Sequence, residues 1–227
     1  MLEKMNLFFA RRLAGYDGHM LASIEGAAEF YPFTAMQLPM EAGSAVLDLG
    51  CGTGLELEEY FARNPRARVT GIDLSGAMLE ALAQKFPDQE LRLIHGSYFD
   101  VPLGQGAYAA AVSVESLHHF PAERKGQLYR KLFHALAEGG YFILTDYFAE
   151  TREMERAYFA DLERLKREQG ITDNAFYHYD TPLTVEHERE VLKSAGFSDV
   201  QVLNSWGATS TIKAVRRGRK ADENTDR

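Results

Sequence analysis

The chain has one cysteine in 227 residues, so it cannot close an internal disulfide, and a disulfide-stapled scaffold is excluded. Tryptophan also occurs once and proline only seven times, which removes collagen-like and proline-rich architectures. No apolar run approaches the roughly 20 residues that span a bilayer. Positive charge is scarce: Lys and Arg total 25 against 33 Asp and Glu, a net charge of −8. That balance disfavours a phosphate backbone as the main source of affinity, although a local basic groove would escape the argument. The opening residues, MLEKMNLFFARRLAGYD, lack the basic start, apolar middle and small-residue cleavage site of a secretory leader. The expectation is a cytoplasmic, unprocessed chain with neither membrane nor nucleic acid as partner. What is present is ordinary, with 45% hydrophobic and 26% charged residues, as in a globular protein long enough to bury most of its apolar surface.

From Val46 to about Asp146, short apolar runs alternate with segments of helical period. The runs are Ala45–Asp48, Arg68–Asp73, Leu91–His95, Ala109–Val114 and Tyr141–Thr145, each of strand length and rich in Val, Ile, Leu or Tyr. One helix starts near Leu55. A second opens at Ser75 as N-cap, with Met78, Leu79, Leu82 and Phe86 on one stripe. A third follows Pro121, stacks Leu128, Leu132 and Leu136, and stops at Gly139-Gly140. Such alternation predicts parallel βαβ units in a doubly wound α/β sheet. Beyond it, residues 150–169 read as an exposed amphipathic helix with Met154, Tyr158, Leu162 and Leu165 on one stripe. Thr184 caps a helix running to Ser194. Val200–Trp206 and Thr209–Val215 are joined too tightly for a crossover, so they close the sheet as an antiparallel hairpin, bringing it to seven strands. No repeat or linker divides the chain, which reads as one domain over 1–215, followed by a polar, disordered tail at 216–227.

The most informative segment is VLDLGCGTG, Val46 to Gly54. A strand ends at Asp48 and the chain turns through Gly50, Gly52 and Gly54 into a helix, where bare main chain lets a ligand approach closely. A dinucleotide G-x-G-x-x-G counted from Gly50 would need glycine where Leu55 stands, and no Walker Gly-Lys-Ser/Thr is present. A second acid, Asp73, ends the next strand in VTGIDLS, 19 residues beyond Gly54. A carboxylate there can accept both ribose hydroxyls. Asp48, beneath the loop, can hold the turn or bind an ammonium group directly or through water. A pyrophosphate would not welcome that second carboxylate, whereas a sulfonium-bearing nucleoside would.

This pair of motifs resembles the class I S-adenosylmethionine-dependent methyltransferases, strongly over Val46 to about Asp146 and more loosely over the closing hairpin. The resemblance implies a Rossmann-like sheet and S-adenosylmethionine as cofactor. Asp48, Gly50, Gly52 and Gly54 would hold its methionine part, Asp73 its ribose, and Leu74 and Met78 its adenine. Where the family often has Gly-Asp-Ala at the third strand end, this chain has Gly96-Ser97-Tyr98, so Ser97 and Tyr98 stand at the adenine end. The fourth strand ends in SVESLHHF, similar to many small-molecule members. In such members an N-terminal helical segment, 1–40 here, and an insertion after strand five, 150–182 here, form a lid over the 45–146 core.

Methyl transfer is an in-line displacement at carbon, so the protein chiefly aligns the acceptor and excludes water. Glu115, His118 and His119 follow strand four, on the rim where ligands bind in such sheets. His119 is a candidate base; the plainer reading is that one histidine packs and the other caps or lines the methionine end. Glu115 faces the cofactor or an amine acceptor. Tyr147, ending strand five beside Asp146, either orients an acceptor atom or packs. No metal site is expected, because adjacent histidines on an extended turn diverge and no third ligand is evident. Tyr16, in GYDGHM, is the lid residue expected over the cofactor, and the aromatic stretch Phe176–Tyr179 adds to a closed, mostly apolar pocket. Neither Asn/Asp-Pro-Pro-Tyr/Phe nor Pro-Cys follows strand four, which sets aside nucleobase amino groups and cytosine C5 as targets. The expected activity is therefore transfer of a methyl group to O, N or C of a small molecule. A catalytically silent cofactor binder and an enzyme acting on protein or tRNA are the competing readings.

Overall fold

Strand β1 (Ala45–Leu49) is buried on both faces, Val46 against one layer of helices and Leu47 and Leu49 against the other. Such a strand belongs at the centre of a parallel sheet, and a computed structural model, which describes residues 1–218, has it there. The other strands are β2 (Arg68–Asp73), β3 (Glu90–His95), β4 (Tyr108–Val114), β5 (Leu136–Tyr147), β6 (Ser198–Trp206) and β7 (Thr209–Val215). The sheet is seven-stranded in the order β3-β2-β1-β4-β5-β7-β6. β1 to β5 pair in parallel, and β7 runs antiparallel to both β5 and β6. Six strands therefore point one way, as the sequence pattern predicts.

Helices cover both faces. On one lie α3 (Ala27–Met36), α4 (Leu55–Arg63) and α5 (Gly76–Lys85), bringing Phe30, Leu57, Tyr60 and Leu82 onto Val46 and Val112. On the other lie α6 (Ala122–Ala135) and α8 (Val185–Ser194), with Leu128, Leu132 and Leu192 against Leu47 and Leu144. A buried ion pair joins these last two helices: Lys125 Nζ donates to Glu188 Oε2 at 2.5 Å, and the Tyr129 hydroxyl donates to the same carboxylate. The caps follow the local sequence, since Ser75 Oγ accepts the Met78 N–H and Thr184 Oγ1 the His187 N–H. The remaining helices are α1 (Met5–Arg12), α2 (Tyr16–Ser23) and α7 (Arg152–Glu168).

Two expectations need correction. The third predicted helix ends at Ala135, not at Gly139-Gly140, and Leu136 is the first residue of β5. The glycine pair serves a sheet irregularity instead: a Cβ at Gly140 would lie 3.0 Å from the Ala109 carbonyl oxygen and 2.9 Å from that of Ala137. In α7 the residue facing inward at the start is Glu155, while Met154 is exposed. The Glu155 carboxylate accepts the Thr184 N–H at 2.8 Å and pairs with His187 Nδ1 at 2.7 Å, tying α7 to the cap of α8. Of the tail expected to be disordered, residues 219–227 lie outside the described residues; the Arg216 N–H donates to the Gly140 carbonyl at 2.8 Å.

From β1 the chain winds outward through β2 and β3, then returns to β4 and β5 on the other side. The switch point lies between β1 and β4, so the crevice for a ligand opens beyond their carboxyl ends. Over that rim, α1 and the aromatic loop near 176 pack together: the Met5 N–H donates to Phe176 O and the His178 N–H to Glu3 O, both at 2.9 Å, and Phe8 stacks on His178.

Candidate active site

The loop after β1 takes positive φ at each of its glycines, +76° at Gly50, +48° at Gly52 and +72° at Gly54, conformations that a side chain disfavours. Their surroundings differ. A Cβ at Gly50 would strike Ser116 Oγ at 2.1 Å, whereas at Gly52 it would meet nothing within 4 Å, so the Gly52 main chain faces open space. Gly54 sits behind the loop as the N-cap residue of α4. Asp73 holds the turn from the neighbouring strand, Oδ2 accepting the Gly52 N–H at 2.9 Å and Oδ1 the Ser75 N–H at 2.7 Å.

Asp48 lies beneath the loop, 1% exposed, and no N–H or hydroxyl group donates to its carboxylate oxygens; its carboxyl meets that of Glu56. Glu56 comes from the first turn of α4, 4% exposed and with Oε1 likewise without such a donor. Burial, and then the neighbouring Glu56, push the Asp48 carboxyl well above the usual carboxylate range; burial raises Glu56 too. Two buried carboxyls side by side cannot both ionise freely, so a neighbouring cation would relieve the pair. An ammonium group is such a cation, and these oxygens with the open space above Gly52 fit the methionine end of S-adenosylmethionine.

A narrow cleft of about 50 Å³ runs along the rim. It gathers most of the residues singled out from the sequence: Gly50, Gly52, Asp73, Leu74, Met78, Tyr98, Tyr16, Glu115 and His119. Met5 and Phe9 of α1 close it, leaving much less than the roughly 300–1,000 Å³ of typical ligand sites. Ser97 is not brought to this cleft; its hydroxyl accepts the Phe99 N–H at 3.2 Å. Tyr16 is held over the loop because its helix is pinned there: Asp17 accepts from Thr53 Oγ1 at 2.5 Å and from Lys85 Nζ at 2.8 Å.

Next to the cleft is a cavity of about 780 Å³, bordered by Phe8, Tyr16, His118, His119, Tyr147 and Trp206 among others. Tyr147 belongs here and not to the cleft; its hydroxyl lies 3.0 Å from that of Tyr158, which with burial pushes it up to about 12. Glu115 and His119 border both spaces. Glu115 adopts φ +47°, an uncommon conformation for a side-chain-bearing residue, and burial pushes its carboxyl up to about 7.

The two histidines do not diverge as expected. Leu117–His119 forms a 3₁₀ turn, not an extended one, and the rings sit 4.0 Å apart, both facing the cavity. His118 Nδ1 lies 2.5 Å from Asp146 Oδ1, and its Nε2 lies 3.5 Å from Asp180 Oδ1, to which His119 Nδ1 approaches at 3.2 Å. Burial opposes charging of His118, but Asp146 and Asp180 outweigh it and raise the ring to about 10. Burial and the neighbouring His118 lower His119.

Sequence reading missed Glu56, Asp17 and Asp180. Glu56 had a signal, since positions 56, 60 and 64 share one face of α4 and its end, and Tyr60 and Asn64 are buried there too. Asp180 had none, because its partners come from a different loop.

A doubly wound sheet with a glycine cradle at its switch point and an acid on the next strand defines a nucleoside-binding class. Comparison with known proteins narrows it. Residues 46–140 match the family model of a methyltransferase domain. Over 113 residues the chain is 30% identical to the uncharacterized methyltransferase YdaC of Bacillus subtilis (strain 168), covering 50% of this chain and 61% of that protein. It is 23% identical over 182 residues to the carboxy-S-adenosyl-L-methionine synthase of Nautilia profundicola, covering 75% and 76% of the two chains. Among solved structures, a putative O-methyltransferase from Nostoc punctiforme superposes with a TM-score of 0.67 at 23% identity, over 91% of this chain and 58% of that one. The chain thus spans about three fifths of the length of YdaC and of the Nostoc protein. Residues 46–140 resemble a methyltransferase domain, carried on the sheet topology that this solved structure shares.

Proposed function

We propose that the protein transfers the methyl group of S-adenosylmethionine to an O, N or C atom of a small molecule bound in the 780 Å³ cavity. The observation that carries this reading is the buried Asp48 carboxyl, to which no N–H group donates, beneath a glycine main chain that faces open space, next to a cavity bordered by aromatic rings. In this reading the glycine loop and Asp48 hold the methionine part, Asp73 the ribose, and Leu74 and Met78 the adenine face. The narrow cleft admits the nucleoside once Met5, Phe9 and Tyr16 draw back. Their return over it excludes water from the transfer, and displacement then needs little beyond alignment.

The cofactor supplies the electrophilic methyl group when bound; the chain supplies position. Glu115 and His119 border both spaces, and in this reading His119 and Tyr147 orient the acceptor atom. The aromatic lining of Phe8, Phe9, Tyr16, Tyr147 and Trp206 supports a small acceptor over a protein or tRNA. Calorimetry with S-adenosylmethionine and its demethylated product tests the reading, with micromolar binding expected. Incubation with a metabolite extract should give a cofactor-dependent gain of one methyl mass in some component. Absence of both heat and thermal shift with either nucleoside would refute it; binding without turnover across a broad acceptor library would instead support a silent binder.

A further inference from the structure

The histidine pair and Asp180 form a cluster that methyl transfer does not by itself require. We propose that His118 Nε2, His119 Nδ1 and Asp180 Oδ1 bind a divalent transition-metal ion of the zinc type at the wall of the acceptor cavity. One ligand atom from each of the three side chains lies within 4.8 Å of the others; His118 Nε2 and His119 Nδ1 are 3.5 and 3.2 Å from the carboxylate oxygen, and a metal would displace the contact that His119 Nδ1 makes with the Tyr179 carbonyl at 3.2 Å. Metal–donor bonds of about 2.1 Å in a tetrahedral set place donors roughly 3.4 Å apart, so these two edges need almost no adjustment.

The surroundings match a metal site as well. His118 gives its other nitrogen, Nδ1, to Asp146 at 2.5 Å, the carboxylate–imidazole arrangement that orients metal-binding histidines. Asp146 is itself fixed, its second oxygen accepting the Leu117 N–H at 2.9 Å. Glu115, Asp146 and Asp180 bring three carboxyl groups to the cluster, and among the described residues no lysine or arginine forms an ion pair with any of them. Their cationic partner in the described residues is the His118 ring, and a dication at Nε2 would take the place of its proton and add a further positive charge. All three ligands line the large cavity, so the remaining coordination position faces the acceptor. Two imidazoles and one carboxylate favour zinc, iron or cobalt over magnesium or calcium. Bound there, the ion would polarise an acceptor oxygen or nitrogen as a Lewis acid, and His119 would act as a ligand and not as a free base. This role deepens the methyltransferase reading and rests on it; the metal site does not.

The test uses the untagged full chain, stripped with a chelator and titrated with Zn²⁺ and, separately, Co²⁺. Elemental analysis after dialysis should give one zinc per chain, and cobalt should give visible absorption bands of low-coordinate Co²⁺. Asp180→Ala, a change at a half-exposed side chain, and His119→Ala should each lower Zn²⁺ affinity at least 100-fold. Asp146→Asn should lower it roughly 10- to 100-fold through loss of the orienting bond. Retention of less than a tenth of an equivalent by the unaltered chain would overturn the proposal. So would equal retention in both ligand variants, or displacement of Zn²⁺ by millimolar Mg²⁺. Binding of the demethylated cofactor is measured on the same samples: absent metal with intact nucleoside binding sinks the metal site alone, and absent nucleoside binding sinks the methyltransferase reading alone.

Discussion

Asp48→Asn should make the ligand-free protein more stable while weakening its grip on the cofactor. Asp48 is 1% exposed and no N–H or hydroxyl group donates to either oxygen, with Glu56 buried beside it. An asparagine of the same shape keeps the packing, offers its amide hydrogens to Glu56 and removes one ionisable group. A buried acceptor left unmade costs about 1–3 kcal/mol. Taking ~2 kcal/mol, and roughly 2–4 °C per kcal/mol for a chain of this size, the midpoint of unfolding should rise by about 4–8 °C. The gain depends on pH. Both carboxyls have folded-state values above their unfolded ones, so as pH rises past the ordinary carboxylate range the unfolded chain gives up protons that the folded chain keeps. Folding is then progressively penalised until the raised values are passed. The advantage of the variant should therefore be near zero around pH 4 and grow toward neutrality. Binding should move the opposite way, because loss of a charge-assisted contact with the ammonium costs about 1.5–3 kcal/mol, roughly 10- to 100-fold in affinity. Differential scanning fluorimetry across pH with calorimetry of S-adenosylmethionine reads both. A less stable variant that binds the cofactor as tightly as before would refute the reasoning.

Gly52→Ala should lower stability by only about 1–2 kcal/mol, the cost of a left-handed non-glycine residue, yet abolish calorimetric cofactor binding, because its new methyl group enters the open space that the proposed reading gives to the methionine part of the cofactor. Asp73→Ala should remove cofactor binding and, by releasing the Gly52 and Ser75 N–H groups, lower the melting temperature modestly, both visible in one thermal-shift titration. Glu188→Ala should leave the Lys125 ammonium buried without its partner and cost about 3–5 kcal/mol. Urea unfolding would report that loss, and an unchanged midpoint would show that the pair is not buried in solution.

The amino-acid sequence determined what depends on near neighbours. Alternating strand and helix periods fix the winding order, glycine spacing fixes the cradle at Gly50 and Gly52, and Ser75 and Thr184 announce their own helices because a cap is made within three residues. Asp73 was legible for the same reason, standing one helix and one strand beyond the loop. The Gly139-Gly140 pair misled because a glycine that ends a helix and one that relieves crowding in a sheet look alike until the neighbouring strand is in place. Asp48 facing Glu56, and His118 and His119 meeting Asp180, are decisions of the tertiary structure. These side chains meet because the sheet order folds separate loops onto one rim, and no local period encodes which distant loop will arrive there.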